Sequence, residues 1–420
     1  MEGLQAAKEL ECSRRSLFKT KSFVMLWVAS LFSSLSMSIF MFVQSWYVVQ
    51  GLGLETALGI VLISLSVPRI IFMMVGGVLS DRKDQARIMF WSDLSRASLA
   101  CVLAILFVFA HPLPIWVLGV NAIGFGILGG LFEPARDSIL PTVVEPQMLT
   151  RANSVLQGTM QTALFAGPLL AGVILGIAGY GTLFLLIGSL LVLGSLCVVF
   201  VNTDKAKKGI TEQSNKRPGF WVQLNEGITY LWSSTLLRAL FIAAIIVNFF
   251  MSGPLFMGLP IFVEGVLDGN ALDYSYVQGG LTFGMILGSV IMGIINLRRK
   301  RGSYALFLMA AQGIIMILFS QVNMVWLAVG VIIFVGLLNP AINIPLISMI
   351  QEYTDPDKIG RVMSLIRMAS FGLMPLSYAA VSFLLRLEIS IQVILFWSAF
   401  PLMISVVVLF ACFPVLRKEN

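Results

Sequence analysis

Residues 138–154 read SILPTVVEPQMLTRANS, and residues 348–364 read SMIQEYTDPDKIGRVMS. Each stretch begins and ends on a serine. Between the serines stand an acid–proline pair (Glu145-Pro146, Asp355-Pro356) and an arginine (Arg151, Arg361) at the same spacings. Every matched position lies 210 residues from its counterpart, half of the 420-residue chain. A second pair, GVLSDRK (Gly77–Lys83) and GIINLRR (Gly293–Arg299), corresponds at a slightly larger offset, with Leu297 where Asp81 stands. Single matches arise by chance, but several at fixed spacing in equivalent loops do not. The chain reads as two related halves.

The sequence around these loops is apolar. Hydrophobic residues make up 58% of the chain and charged residues 12%, there are 37 glycines, and the mean hydropathy is +0.92. A soluble domain carries about 25% charged residues. The charges present cannot coat the two or three soluble domains this length would otherwise form. A soluble enzyme, a disordered chain and a nucleic-acid binder are excluded as classes. One spanning helix takes ~20 residues, and apolar runs between charged or turn-forming breaks mark about twelve. The first six cover roughly 22–49, 57–80, 88–110, 115–133, 154–178 and 182–201. The second six cover roughly 237–263, 274–297, 302–320, 324–348, 362–385 and 391–415. The expected fold class is an all-α membrane protein of about twelve transmembrane helices in two six-helix halves. The halves are residues 1–201 and 220–420, joined by a polar linker, 202–219. After the linker, Phe220, Leu224, Ile228 and Leu231 recur at helical spacing, which predicts a short amphipathic helix on the membrane surface. The alternative is an early start of span seven.

The cations set the orientation. Lys8, Arg14, Arg15, Lys19 and Lys21 precede span one, Arg82, Lys83 and Arg87 follow span two, and Arg136 and Arg151 follow span four. Lys205, Lys207, Lys208, Lys216 and Arg217 lie at the middle. Arg298, Arg299, Lys300 and Arg301 follow span eight, Lys358 and Arg361 follow span ten, and Arg417 and Lys418 end the chain. The opposite loops hold only Arg386. The positive-inside rule therefore predicts a multi-pass protein of the cell membrane with both termini in the cytoplasm. It also accounts for the net charge of +7 without a nucleic-acid partner. The polar amino terminus predicts no cleavable signal peptide. Cys12, Cys101, Cys197 and Cys412 are far apart and His111 is alone, so neither a disulfide framework nor a metal site is expected. No Walker motif is present, and no cofactor is expected.

Charges inside spans are costly and mark function or deliberate pairing. Arg69 lies twelve residues before Asp81, roughly 18 Å along the helix in a core of ~30 Å. Asp93 and Arg96 stand one turn apart in the next span. The simplest satisfied arrangement is a buried cluster of Arg69, Asp93 and Arg96. Two roles remain open for it: a structural ion cluster, or a site where Asp93 exchanges a proton. Two arginines favour the charged carboxylate, which supports the structural role. Glu133 has only Arg136 at i+3, so it either titrates more readily or forms a loop salt bridge. Arg367 either snorkels or meets Asp81 or an anion in the cavity. Uncharged polar residues on apolar spans are candidates for lining a substrate cavity: Gln44 and Trp46, Gln157 and Gln161, Asn248 and Gln278, Asn339 and Asn343. Few charges there favour a neutral or amphipathic organic substrate.

The stretch GGVLSDRKDQARIM (Gly76–Met89) resembles the loop signature of the major facilitator superfamily. The drug-exporter branch of that superfamily often reads G-x-x-x-D-R-x-D-R-R-R-x-M. Gly77, Asp81, Arg82, Asp84, Arg87 and Met89 match, whereas Gln85 and Ala86 replace two basic residues. PRIIFMMVGG before it, FEPARDSILPTVV after span four and IGRVMSL before span eleven resemble the macrolide-efflux and siderophore-export type. GPLLAG (Gly167–Gly172) resembles the antiporter signature G-x-x-x-G-P-x-x-G-G, with Ala163 and Ala171 replacing two glycines. The resemblance implies two halves with a substrate site near midplane. It implies a gate of Gly77, Asp81, Arg82 and Arg87, completed by Glu133 or Asp137. Gly77 is expected to let two helices approach closely. Gly167, Pro168 and Gly172 are expected to loosen a helix where the halves meet. The implied activity is export of lipophilic drugs or a related small organic compound by proton antiport with alternating access. The chain is expected to act as a monomer, with no enzymatic activity, and its partners to be the substrate, protons and the bilayer. The alternative in the same fold is an importer or facilitator of a metabolite, siderophore or lipid.

Overall fold

A computed structural model describes residues 17–110, 112–201, 220–295, 300–355 and 358–412. The side chains at 81, 220–225, 367, 369 and 412 lie outside the described residues, as do His111, the cation-rich amino terminus, the linker and Arg298 and Arg299. The described residues form helices and contain no β-strand.

Four helices come first: α1 (Lys21–Trp46, continued by a π-turn Tyr47–Gly51), α2 (Glu55–Arg82), α3 (Gln85–Phe109) and α4 (Ile115–Val143). The next helical run, Leu149–Val199, has 51 residues. At 1.5 Å per residue it is about 77 Å long, more than twice a bilayer core. It breaks at Gly179, where φ is 76° and ψ is −179°, a conformation that excludes a side chain. The run is therefore two crossings, α5 (149–178) and α6 (180–199). Helix α7 is Phe220–Ser233. A crossing of α8 (Thr235–Ser252), a π-turn (Gly253–Met257) and α9 (Gly258–Gly265) follows. Then come α10 (Ala271–Ile295), α11 (Arg301–Ser320) and α12 (Val325–Glu352). The last elements are α13 (Ile359–Gly372) with α14 (Met374–Arg386), and α15 (Ile391–Cys412). Among the described residues eleven segments are long and apolar enough to cross a membrane, and the break at Gly179 divides one of them in two. Twelve crossings result, six on each side of the linker. Span four differs from its expected extent. Helix α4 runs on past Glu133 to Val143, through Pro134 and Pro141.

Chain contacts divide the protein into two compact units. Unit 1 holds Met1–Gln44 and Ser64–Lys216, and unit 2 holds Ser45–Ile63 and Arg217–Asn420. In unit 1, α2 and α4 touch backbone to backbone. A Cβ at Gly126 would stand 2.2 Å from the Leu65 carbonyl oxygen, and one at Gly130 would stand 2.5 Å from that of Arg69. In unit 2, α10 and α12 repeat the arrangement, with Gly336 at 2.0 Å from the Leu281 oxygen. Gly336 is 210 residues after Gly126, and Leu281 is 216 after Leu65, the offsets of the two repeated loops. The repeat visible in polar loops is thus also a repeat of helix packing. The expected close approach at Gly77 is corrected by one position. Nothing lies within 4 Å of a Cβ at Gly77, whereas one at Gly76 would stand 2.8 Å from the Gly130 oxygen. Successive residues point about 100° apart round a helix, and α4 lies on the Gly76 side.

Helix α7 is a separate element and not an early start of span seven. Ser234 stands between them in extended conformation, and its hydroxyl accepts from the Leu237 amide to cap α8. Helix α7 docks on the second of the two repeated loops. Glu226 pairs with Arg361 at 2.6 Å, the Tyr230 hydroxyl accepts from the Asp355 amide at 3.0 Å, and Lys358 sits 4.2 Å from the Tyr230 ring centroid. Losing the hydrogen bond and the cation–π contact together costs about 1–2 kcal/mol. Tyr230→Ala is therefore expected to raise tryptic cleavage at Lys358 and Arg361 by about tenfold. An unchanged cleavage rate would mean that α7 does not hold this loop.

Candidate functional site

The polar centre of unit 1 is built on α3. Asp84, an acid of the loop signature, accepts from the amides of Ala86 and Arg87 and starts the helix. Asp93 and Arg96 follow on one face of α3, 0% and 2% exposed. Buried ions cost several kcal/mol each unless paired and hydrogen-bonded. Here the pairing is local and three-cornered. Arg96 Nη2 donates to Asp93 Oδ1 and, at 2.9 Å, to Ser33 Oγ of α1. Ser33 Oγ donates to Asp93 Oδ1 at 3.3 Å. The guanidinium also lies over the Phe132 ring, 5.1 Å from its centroid. All bonds to the carboxylate fall on Oδ1. Among the described residues Asp93 Oδ2 and Arg96 Nε have no hydrogen-bond partner. Gly194 of α6 faces the free oxygen, and a Cβ there would lie 3.4 Å from it. A carboxylate bonded on one oxygen and open on the other can take a proton without breaking a hydrogen bond.

The expected cluster of Arg69, Asp93 and Arg96 divides into two. Arg69 pairs across the helix interface with Glu133 of α4, their side chains 31% and 24% exposed. The physical reason is the glycine contact. The Arg69 backbone lies against Gly130, and Glu133 is the residue one turn further along α4. Glu133 consequently pairs with Arg69 rather than with Arg136. Arg136 is buried and spends its guanidinium on Asp137, at 2.9 and 3.0 Å, and on Met160 Sδ of α5 at 3.2 Å. In the loop region, Arg82 and Arg87 are exposed. The Ser80 and Ser138 hydroxyls lie 3.2 Å apart, and Gln85 donates to the Ser80 carbonyl at 2.8 Å. The side chains of Asp81 and Arg367 lie outside the described residues. In α5, Gly167 packs on α1, where a Cβ would stand 2.4 Å from Ser38 Oγ, and Pro168 and Gly172 are buried.

The uncharged candidates separate by partner. Gln44 is buried and donates to the Leu118 carbonyl at 3.0 Å, which ties α1 to α4. Trp46 is buried within unit 2, stacked on Tyr274 at 5.4 Å. Asn248 donates to Ser370 Oγ at 3.3 Å, and Asn343 donates to the Asn339 carbonyl at 2.9 Å. Gln157 is exposed. Gln161 and Gln278 keep a buried side-chain oxygen without a partner. Sequence reasoning missed Ser33. Its only signal is the buried serine row Ser30, Ser33 and Ser36 on one face of α1. It also missed the pair of Arg301 with Glu352 at 2.5 Å, joined by Ser348 at 3.2 Å. Glu352 and Ser348 lie in the second repeated stretch, and Arg301 opens α11.

The Major Facilitator Superfamily model matches residues 26–378, and the chain belongs to that superfamily. It is a multi-pass membrane protein and a transporter. Macrolide efflux protein A of Streptococcus pyogenes is 23% identical over 349 residues, covering 82% of this chain and 84% of that one. The multidrug efflux pump Tap of Mycolicibacterium fortuitum is 22% identical over 352 residues, covering 79% and 81%. A solved peptide transporter, POT, in complex with sulfate shares the fold with a TM-score of 0.75 and 14% identity, covering 96% of this chain and 97% of its own.

Proposed function

We propose that the protein exports lipophilic drugs or related small organic compounds in exchange for protons, by alternating access. It sits in the cell membrane with both termini in the cytoplasm, as its cation distribution favours, and works as a monomer. The observation that carries this reading is the buried Asp93–Arg96–Ser33 triangle with Asp93 Oδ2 left open. It is a protonatable group deep in a transporter whose relatives bear efflux names. When Oδ2 takes a proton, the charge opposing Arg96 is lost while its hydrogen bonds to Asp93 Oδ1 and Ser33 remain, so the hold of α3 on α1 weakens. That links protonation to rearrangement of α1 and α3. Arg69 and Glu133 form a second charge pair, between α2 and α4, and Asp81, Arg82, Arg87 and Asp137 are the gate residues. Gln161 of α5 and Gln278 of α10 each keep an unpaired side-chain oxygen, which favours each as a candidate for binding substrate.

Inside-out vesicles carrying an imposed proton gradient are expected to accumulate a fluorescent lipophilic drug, and a protonophore to stop it. Absence of gradient-dependent uptake across a broad panel would overturn the antiport reading. Equilibration without a gradient would favour a facilitator. Glu133→Gln leaves Arg69 half-buried without its countercharge and is expected to lower gradient-driven uptake by about tenfold, a loss of ~1.4 kcal/mol. Unaltered uptake would remove this pair from the mechanism.

A further inference from the structure

The α2–α3 turn and the first three turns of α3 enclose, with α4, a cavity of about 550 Å³ within unit 1. Its walls change character along their length. Lys83 and Arg87, both exposed, line it at the turn. Asp84 stands between them, but its carboxylate already accepts from two backbone amides. Among the described residues neither Lys83 nor Arg87 has an ion-pair partner. Further along, Leu128 and Leu131 of α4 form the wall, and Trp91, 61% exposed, flanks it. From Asp84 to Ser95, the last α3 residue lining the cavity, is about 16 Å along the helix, half the ~30 Å hydrocarbon core. The cavity therefore extends from the polar boundary to about the bilayer midplane. Tryptophan is enriched at that boundary.

Two cations at one end, a wall of Ile88, Trp91, Leu128 and Leu131 beyond them, broken only by Ser92 and Ser95, and the length of half a bilayer match one chemistry. We propose that this cavity binds an anionic glycerophospholipid from the leaflet that meets the α2–α3 turn. The phosphodiester lies against Lys83 and Arg87, and an acyl chain lies between α3 and α4 beside Trp91. A free phosphate has no use for the leucine wall. A choline headgroup brings a third cation to Lys83 and Arg87.

The full-length protein in phosphatidylcholine liposomes tests this with trace phosphatidylglycerol or phosphatidylcholine carrying a diazirine in the acyl chain. Phosphatidylglycerol is expected to label the peptides containing Trp91 and Leu131 about tenfold more than phosphatidylcholine. The K83Q/R87Q variant should lower labelling to the phosphatidylcholine level, and K83R/R87K should retain it. In the wild-type protein, unlabelled phosphatidylglycerol should compete and unlabelled phosphatidylcholine should not, so the outcome does not depend on either variant folding. Equal labelling by the two lipids, or full labelling in a monodisperse K83Q/R87Q, would overturn the proposal. So would suppression by excess inorganic phosphate, which would make the site one for a free anion.

Discussion

Asp93→Asn is expected to destabilise the protein by about 3–5 kcal/mol, because it leaves Arg96 buried without its countercharge. Arg96 is 2% exposed, and its remaining contacts are the Ser33 hydroxyl and the Phe132 ring. Neither carries a charge. The loss should appear as a lower melting temperature and a larger aggregated fraction of the purified protein. The double variant D93N/R96Q removes both charges and leaves two amides able to bond Ser33. It should recover most of the stability, since replacing both members of a buried pair is often neutral. Transport separates the two roles. A purely structural pair predicts that the double variant transports with its gradient dependence intact. A proton site predicts a well-folded double variant without gradient-driven uptake.

Gly336→Val is expected to abolish recovery of folded protein, and Gly126→Val to do the same. At both positions the obstacle is a backbone carbonyl of the neighbouring helix, 2.0 Å away at Leu281 and 2.2 Å away at Leu65. A side chain could rotate aside, but a helix backbone can only move as a unit. Overpacking costs about 1–3 kcal/mol where side chains yield, and more where they cannot. Gly330→Val supplies the contrast on the same helix α12, since nothing lies within 4 Å of a Cβ there. Fluorescence-detected size-exclusion chromatography of tagged variants is the check. Equal recovery of Gly336→Val and Gly330→Val would refute backbone contact between α10 and α12.

The twelve crossings were legible because a bilayer forces long apolar runs, and the break at Gly179 falls between two of them. The amphipathic helix was legible from Ile228 and Leu231, the duplication from its polar loops. Position along a helix was legible as well, since Arg69, Asp93 and Arg96 all lie within the helices the hydropathy marked. Rotation about the helix axis was not. Arg69 meets Glu133 rather than Asp93 because Gly126 and Gly130 fix which face of α2 meets α4, and no single-helix pattern states that. The same ignorance put the close contact at Gly77 instead of Gly76. Hydropathy ended span four at Glu133 because charges follow. The backbone continues to Val143 because those charges find partners: Arg69 for Glu133, Asp137 for Arg136. Ser33 carried no signal in hydropathy, since one hydroxyl barely changes the average of a span.

Proton movement can be read directly in proteoliposomes that enclose a pH-sensitive dye. A lipophilic substrate is added outside, with no imposed pH gradient, and the lumen is followed for wild-type protein and for D93N/R96Q. Coupled exchange through Asp93 predicts a substrate-dependent pH change with wild-type protein and none with the double variant. Substrate movement with no pH change in wild-type liposomes, or an undiminished pH change in the double variant, would contradict it.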